Sequence, residues 1–452
     1  MRVIGLDIGT TTICASVIDS ANGEVLTSRT TANDAFLAAA QPWEKLQDPA
    51  MILARCEQLI AELTKEYAPI GAIGVTGQMH GIVYVDESGN AVSPLYIWQD
   101  GRGDREYQNG ESYAAYLSRK TGYKLATGFG SVTHFCNEKA GNVPQAAMQF
   151  CTIPDYVAMH LAGQTTPLVH STNAASLGLF DLENACFDRA AIESAGMNFA
   201  QFPHVTSGYD LLGKTADGIP VAVPIGDNQA SFIGSVRDRN QSILVNVGTG
   251  SQISYLADRL ITTATMETRP CDAECFLLVG SSLCGGRAYA ILKNFYEELI
   301  QQAGCQCDHL YAVMERLAEN YHQLENNLNV STRFSGTREN PELRGSITNI
   351  GIDNLTPQHL TAGVLQGIVD ELYTMYAGSA AIQKLVPSFL VGSGNGIRQN
   401  KVLQKMFEER FGMQVQIPVH TEEAAYGAAL FAMVSVGCYS TLSQAQQIIK
   451  YQ

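Results

Sequence analysis

The sequence predicts an α/β protein of two domains. Three observations predict it: a length of 452 residues, a strand–turn–strand pattern that occurs once in each half, and short apolar runs alternating with amphipathic stretches. Single cores stop growing at roughly 250–300 residues, so a chain this long divides. Hydrophobic residues make up 46% of the chain and charged residues 16%, enough apolar surface for two cores and too little charge for disorder.

The repeated pattern is the strongest of the three. Residues 3–19 read VIGLDIGTTTICASVID, and residues 242–258 read SILVNVGTGSQISYLAD. Each runs from an apolar strand to a polar residue (Asp7 or Asn246), then Gly-Thr, small residues and a second apolar strand ending in Asp. This spacing predicts a β-hairpin whose turn exposes backbone N–H groups and hydroxyls, with glycine allowing close approach to a phosphate. One such hairpin is an ordinary turn. Two, each opening one half of the chain, point to a duplicated phosphate-gripping domain. The boundary falls in the polar run 235–241, giving an N-terminal domain 1–238 and a C-terminal domain 239–452.

The remaining elements follow in order. Residues 71–77 read as a buried strand ending in a turn, 110–122 and 155–163 as helices, and 222–226 as a short strand. Residues 317–330 are polar and connecting, and 360–377 and 400–411 read as amphipathic helices. Residues 385–392 form a strand entering a Gly/Ser/Asn turn, and 421–436 a helix of small residues suited to close packing.

The formal net charge of −15 excludes nucleic acid and anionic membrane as partners. It does not exclude ATP, because phosphate loops work through backbone N–H groups and a metal. The 11 cysteines are scattered without a CxxC pair, and Cys271/Cys275 and Cys305/Cys307 lack the matching ligands of a zinc site. With no signal peptide and no membrane-length apolar run, a cytoplasmic protein with free thiols is expected. The oligomeric state stays open, a homodimer included.

Phosphoryl transfer to an alcohol needs a cradle for ATP and Mg2+, a carboxylate near the acceptor hydroxyl, and exclusion of water. Gly9, Thr10, Thr11 and Thr12 form one candidate cradle, with Asp7 for the metal. Gly248, Thr249 and Gly250 form the second, and Gly392, Gly394 and Asn395 a glycine-rich turn able to seat a nucleotide. Asp227, in IGDNQA, is the candidate base; the same residue would also suit a helix N-cap. Gln78, Met79 and His80 of GQMHG, with Trp98 and Asp100 of WQDGR, are candidate contacts for sugar hydroxyls. His80 alone would fit a core histidine and Trp98 a core aromatic. Their clustering behind a strand favours a site. There is no Walker A sequence and no protein-kinase motif set.

In this order the motifs LDIGTTT (6–12), GVTGQMHG (74–81), WQDGR (98–102), DYVAMHLAG (155–163), GDNQAS (226–231), VGTGS (247–251), SGTRENP (335–341), VGSGNG (391–396) and EAAYGAAL (423–430) resemble the FGGY carbohydrate kinases. Within that family, ATGFGSVTHF (126–135), STNAASLGLF (171–180), CGG (284–286) and GSGNGIRQN are most similar to the sedoheptulokinases. Xylulokinases and other ketose or polyol kinases share part of the set. The resemblance implies two ribonuclease-H-like (actin-like ATPase) domains flanking a deep cleft, with sugar mainly on the first and ATP mainly on the second. It implies Asp227 as catalytic base, Gln78, His80, Asp100 and Asn228 around the sugar, Asp7 for Mg2+, and Gly286 among the nucleotide contacts. In one departure, Cys14 stands where many relatives carry a basic residue, so phosphate charge must be met by Mg2+ or by another cation. A non-catalytic sugar sensor or assembly protein on the same fold is the alternative from another class.

Overall fold

The computed structural model describes residues 1–452 except 262, 264, 274, 338, 339, 341, 381 and 383–386. Residues 338, 339 and 341 of SGTRENP, and 385–386 of the strand expected over 385–392, therefore lie outside the described residues. The chain forms two compact units. Unit 1 comprises Met1–Arg237, Arg269–Phe276 and Glu422–Ile449, and unit 2 comprises Asp238–Thr268, Leu277–Thr421 and Lys450–Gln452. The division is not one cut in sequence, because the small-residue helix Glu423–Ser435 belongs to unit 1.

Unit 1 is built on a mixed sheet. Its strands are β1 (Arg2–Ile8), β2 (Thr12–Asp19), β3 (Val25–Ala32), β4 (Ile70–Gly77), β5 (Leu211–Lys214), β6 (Pro220–Ala222) and β7 (Ile225–Gly226). The order is β5-β6-β4-β1-β2-β3, with β7 also on β4. The single strand expected over 222–226 is thus two pieces, β6 and β7. Val223 and Pro224 lie between them, and proline has no N–H for a ladder. Antiparallel pairing sets Asp7 opposite Cys14, and parallel pairing sets Asp7 beside Thr76 and Gly226 beside Gly77. The carboxyl ends of β1, β4 and β7 therefore lie side by side, the place where ligands bind in open α/β sheets.

Period-two alternation sorts β1 by face. Ile4, Leu6 and Ile8 join the main hydrophobic cluster with Ile52, Leu59 and Leu63 of the helix Pro49–Tyr67. Gly5 and Asp7 point the other way, where Glu423–Ser435 lies. That helix comes so close that a Cβ on Gly5 would stand 1.8 Å from Ala425 O, and one on Gly74 1.9 Å from Ala428 O. Gly234, in the helix Asp227–Ser235, meets Glu423 O in the same way at 2.0 Å, and Gly427 meets Ala230 O at 1.8 Å.

Unit 2 repeats the central motif. Its sheet is formed by β8 (Ser242–Val247), β9 (Ser251–Ala257), β10 (Glu267–Pro270), β11 (Phe276–Ser282), β12 (Phe389–Ser393) and β13 (Val415–Gln416), in the order β10-β11-β9-β8-β12-β13, with Arg269, Pro270 and Phe276 counted in unit 1. β8 pairs antiparallel with β9 and parallel with β12, as β1 does with β2 and β4. No helix among the described residues is long and apolar enough to cross a membrane.

The glycine contacts generate a test. Gly5→Ala should destabilise the chain by about 2–3 kcal/mol, the upper range for overpacking, because the added methyl meets backbone rather than a movable side chain. Gly378→Ala, on the exposed side of the helix Pro357–Ala380 with only Thr265 Oγ1 at 3.8 Å, should stabilise by about 0.5–1 kcal/mol. Urea unfolding of both variants checks the pair, and similar losses in both would refute the close-packing account.

Candidate active site

The loop after β1 is held by a closed ring of hydrogen bonds. Thr10 Oγ1 donates to Gln78 Oε1 at 3.3 Å, Gln78 Nε2 donates to Gln47 Oε1 at 2.9 Å, and Gln47 Nε2 donates to Thr10 O at 2.8 Å. Asn33 Nδ2 adds a bond to Gly9 O at 2.8 Å, and the Trp98 indole N–H donates to Thr10 Oγ1 at 3.0 Å. The turn is tight enough that a Cβ on Gly9 would stand 2.9 Å from Thr12 O. Thr11 and Thr12 remain exposed on it.

This ring changes the expected role of Gln78. It is buried and both ends of its amide are engaged, so it braces one loop against another. Asp100 is likewise engaged within the protein. It is fully buried, Arg102 Nε and Nη2 donate to its two oxygens at 2.6 and 3.2 Å, and Lys45 N–H donates to Oδ2 at 3.1 Å. Its carboxylate builds the loop behind Trp98. Met79 is buried with its methyl against Gly226, where a Cβ would stand 2.5 Å from Cε.

His80 and Trp98 are placed differently. His80 has φ 71°, rare for a side chain with a Cβ. Ser176 holds it there: its Oγ accepts His80 N–H at 3.1 Å, and its carbonyl lies 2.6 Å from His80 Nδ1. A carbonyl only accepts, so Nδ1 carries the proton in this contact. Phe129 stacks on the ring at 4.8 Å. Trp98 leaves its indole face exposed.

Asp227 is the first residue of its helix. The N-cap is Gly226, so the capping role is not the one Asp227 plays. Burial raises its pKa to about 6, with Arg269 and the Asn228 N–H pulling in the opposite direction. Asn228 is buried beside it. Asp7 is raised to about 7, first by burial and then by the negative charges of Asp227 and Glu422. Burial, Glu422 and Asp7 push the Cys14 thiol up to about 12, against a hydrogen bond from Thr30, so position 14 supplies no charge. Among the described residues no cluster of three His, Cys, Asp or Glu could hold a metal by itself. A hard cation suits the carboxylate of Asp7, provided that phosphate oxygens complete its shell.

Unit 2 carries a cavity of about 670 Å³ lined by Gly248, Thr249, Gly286, Arg287, Tyr289, Tyr311, Glu315, Asn395 and Asn400, among others. Four of the expected nucleotide contacts are therefore in its wall. Gly250, Gly392 and Gly394 are not in that wall. Gly392 is buried in β12 against Ile417, and Gly394, at φ 81°, is pressed to Val247 O. The start of the helix Gly286–Gln302 is tied to the hairpin turn, with Gly286 N–H on Gly248 O at 2.9 Å and Arg287 N–H on Thr249 O at 3.0 Å.

The sequence matches the FGGY family of carbohydrate kinases, N-terminal domain, over residues 2–244, and the C-terminal domain of the same family over residues 244–436. The chain belongs to the FGGY family of carbohydrate kinases. It is accordingly a phosphotransferase with an alcohol group as acceptor, and the non-catalytic alternative falls away. Sedoheptulokinase of Homo sapiens is 27% identical, covering 94% of this chain and 96% of the relative. Xylulose kinase from Rhodospirillum rubrum superposes with a TM-score of 0.85 at 20% identity, covering all of this chain and 93% of that one. Glycerol kinase of Plasmodium falciparum, solved with ADP, gives 0.81 at 18% identity, covering 98% of this chain and 91% of that one. The two-domain mixed α/β fold is shared throughout.

Several residues of these sites were not legible from motifs. Gln47, Asn33, Ser176, Arg269, Glu422, Tyr289, Tyr311 and Glu315 sit in no glycine-rich signature. The 171–180 stretch holds Ser176, and the EAAYGAAL motif begins one residue after Glu422.

The raised carboxylates predict a pH effect on stability. A carboxyl whose pKa is higher folded than unfolded binds its proton more tightly in the native state, so stability falls as pH rises from the unfolded value towards the folded one. For Asp227 that window runs from 3.8 to about 6. Asp227→Asn cannot ionise, so its melting temperature should exceed the wild type's at about pH 8 and match it at about pH 4. Calorimetry at both pH values checks this. A variant less stable at the higher pH would refute the buried-carboxylate account.

Proposed function

We propose that the chain transfers the γ-phosphoryl group of ATP to a terminal hydroxyl of a ketose, with sedoheptulose giving sedoheptulose 7-phosphate. The observation that carries the mechanism is Asp227: a carboxylate with its pKa raised to about 6, at the carboxyl end of β7 beside the Gly77 loop. That value leaves it ionised at neutral pH yet basic enough to take a proton. Asp227 accepts the hydroxyl proton as the oxygen bonds to the γ-phosphorus in line with the departing ADP, and no phosphoenzyme forms. Trp98 offers an apolar face to the sugar, and the imidazole of His80 and the amide of Asn228 are the polar groups of the sugar site. The ring through Thr10, Gln78 and Gln47 keeps the threonine turn fixed for the phosphates. Mg2+, held at Asp7, would neutralise charge on the phosphate oxygens. The choice of sedoheptulose rests on the 27% identity to sedoheptulokinase over 94% of the chain.

ADP release from ATP and Mg2+ with sedoheptulose, xylulose, ribulose and glycerol tests the proposal. Turnover should be greatest with sedoheptulose and should fall by about 10²-fold or more in Asp227→Asn. It should also fade as pH drops below about 6, where Asp227 is protonated. Preference for xylulose would move the substrate and keep the mechanism, whereas full activity of Asp227→Asn would refute the assignment of the base.

A further inference from the structure

Two charged side chains line the unit 2 cavity, Arg287 and Glu315. Glu315 is committed at one place in the wall. Its Oε1 accepts Lys401 N–H at 2.9 Å, and its charge acts on the Tyr289 phenol, which stacks on Tyr311 at 5.7 Å. Arg287 belongs to another place. Its backbone N–H is bound to Thr249 O, so its side chain leaves from beside the hairpin turn. It is exposed, and among the described residues its guanidinium makes no hydrogen bond and no ion pair. An uncommitted guanidinium is unusual in a chain with 44 acidic residues against 29 basic ones. The cavity is thus polarised, with a carboxylate among tyrosines in one part of its wall and a cation beside a glycine turn in another.

We propose that Arg287 is the phosphate contact of this cavity, donating its guanidinium N–H groups to the polyphosphate of a bound nucleoside triphosphate while the base lies among the tyrosines. This rests on the reading of the cavity as the nucleotide site. A guanidinium presents paired donors that match phosphate oxygens, and the tie to Thr249 limits where its root can move. The role also meets a need of this chain. Cys14, on β2 just beyond the first turn, is buried and uncharged. At the second turn, Arg287 supplies a cation.

Calorimetric titration of the full chain with MgATP, ADP and adenosine tests the assignment. Arg287→Gln should weaken MgATP and ADP by about tenfold or more and leave adenosine unchanged. Arg287→Lys should recover part of the loss, and the salt dependence of MgATP binding should flatten in Arg287→Gln. Undiminished MgATP affinity in Arg287→Gln, with adenosine still bound, would overturn the role of Arg287 and leave the nucleotide site standing. Equal losses for MgATP and adenosine would overturn it too, as damage to the cavity. Wild-type protein that binds neither would overturn the nucleotide reading itself, and the role of Arg287 with it.

Discussion

Unit 1 depends on one constraint, the backbone-to-backbone contact of the helix Glu423–Ser435 with Gly5, Gly74 and Gly234. No side chain separates these elements, so their spacing is set by main-chain atoms and cannot be tuned by rotamers. The consequence for chemistry is direct. Asp7 lies two residues beyond Gly5 on the same face of β1, Asp227 opens the helix that carries Gly234, and Glu422 immediately precedes the packed helix. Three carboxylates are brought within electrostatic reach because three glycines let the helix in.

That proximity has an electrostatic cost, offset locally by Arg269 and the Asn228 N–H at Asp227. At Asp7 nothing offsets it, because Cys14 lies opposite on β2 and bears no charge. A site of this kind attracts cations and favours a bound proton. The hydrogen-bond ring through Gln47 supplies the complementary property, rigidity without charge, at the threonine turn.

Much of this was legible in the sequence, and the reason is local. The two hairpins announce themselves because Gly-Thr turns between apolar strands are short-range signals, and the small-residue helix does so because only alanine and glycine tolerate such contact. Gln47 and Arg269 were not legible. Each is placed by pairing between residues distant in sequence, and no neighbour marks it. Gln78 and Asp100 show a different ambiguity. A polar side chain beside a glycine loop has the same sequence signature whether it faces a ligand or braces the loop. Burial and the positions of Gln47, Arg102 and Lys45 decide between the two.

The duplicated hairpins share a backbone and differ in charge, and the difference is physically required. The residue before the first turn is Asp7, an anion among anions. Its counterpart Asn246 is neutral, and its Nδ2 is bound to Ser393 Oγ at 2.9 Å across the β8–β12 pairing. A carboxylate there would repel any anion brought to the turn, by an amount that grows as water is excluded. The threonines of the first turn are likewise replaced by Gly250 and Ser251, and the backbone of the next helix closes onto the turn through Gly286 and Arg287. The two copies thus share strand geometry and differ in the charge of the residue that leads into the turn, a carboxyl at Asp7 and a neutral amide at Asn246.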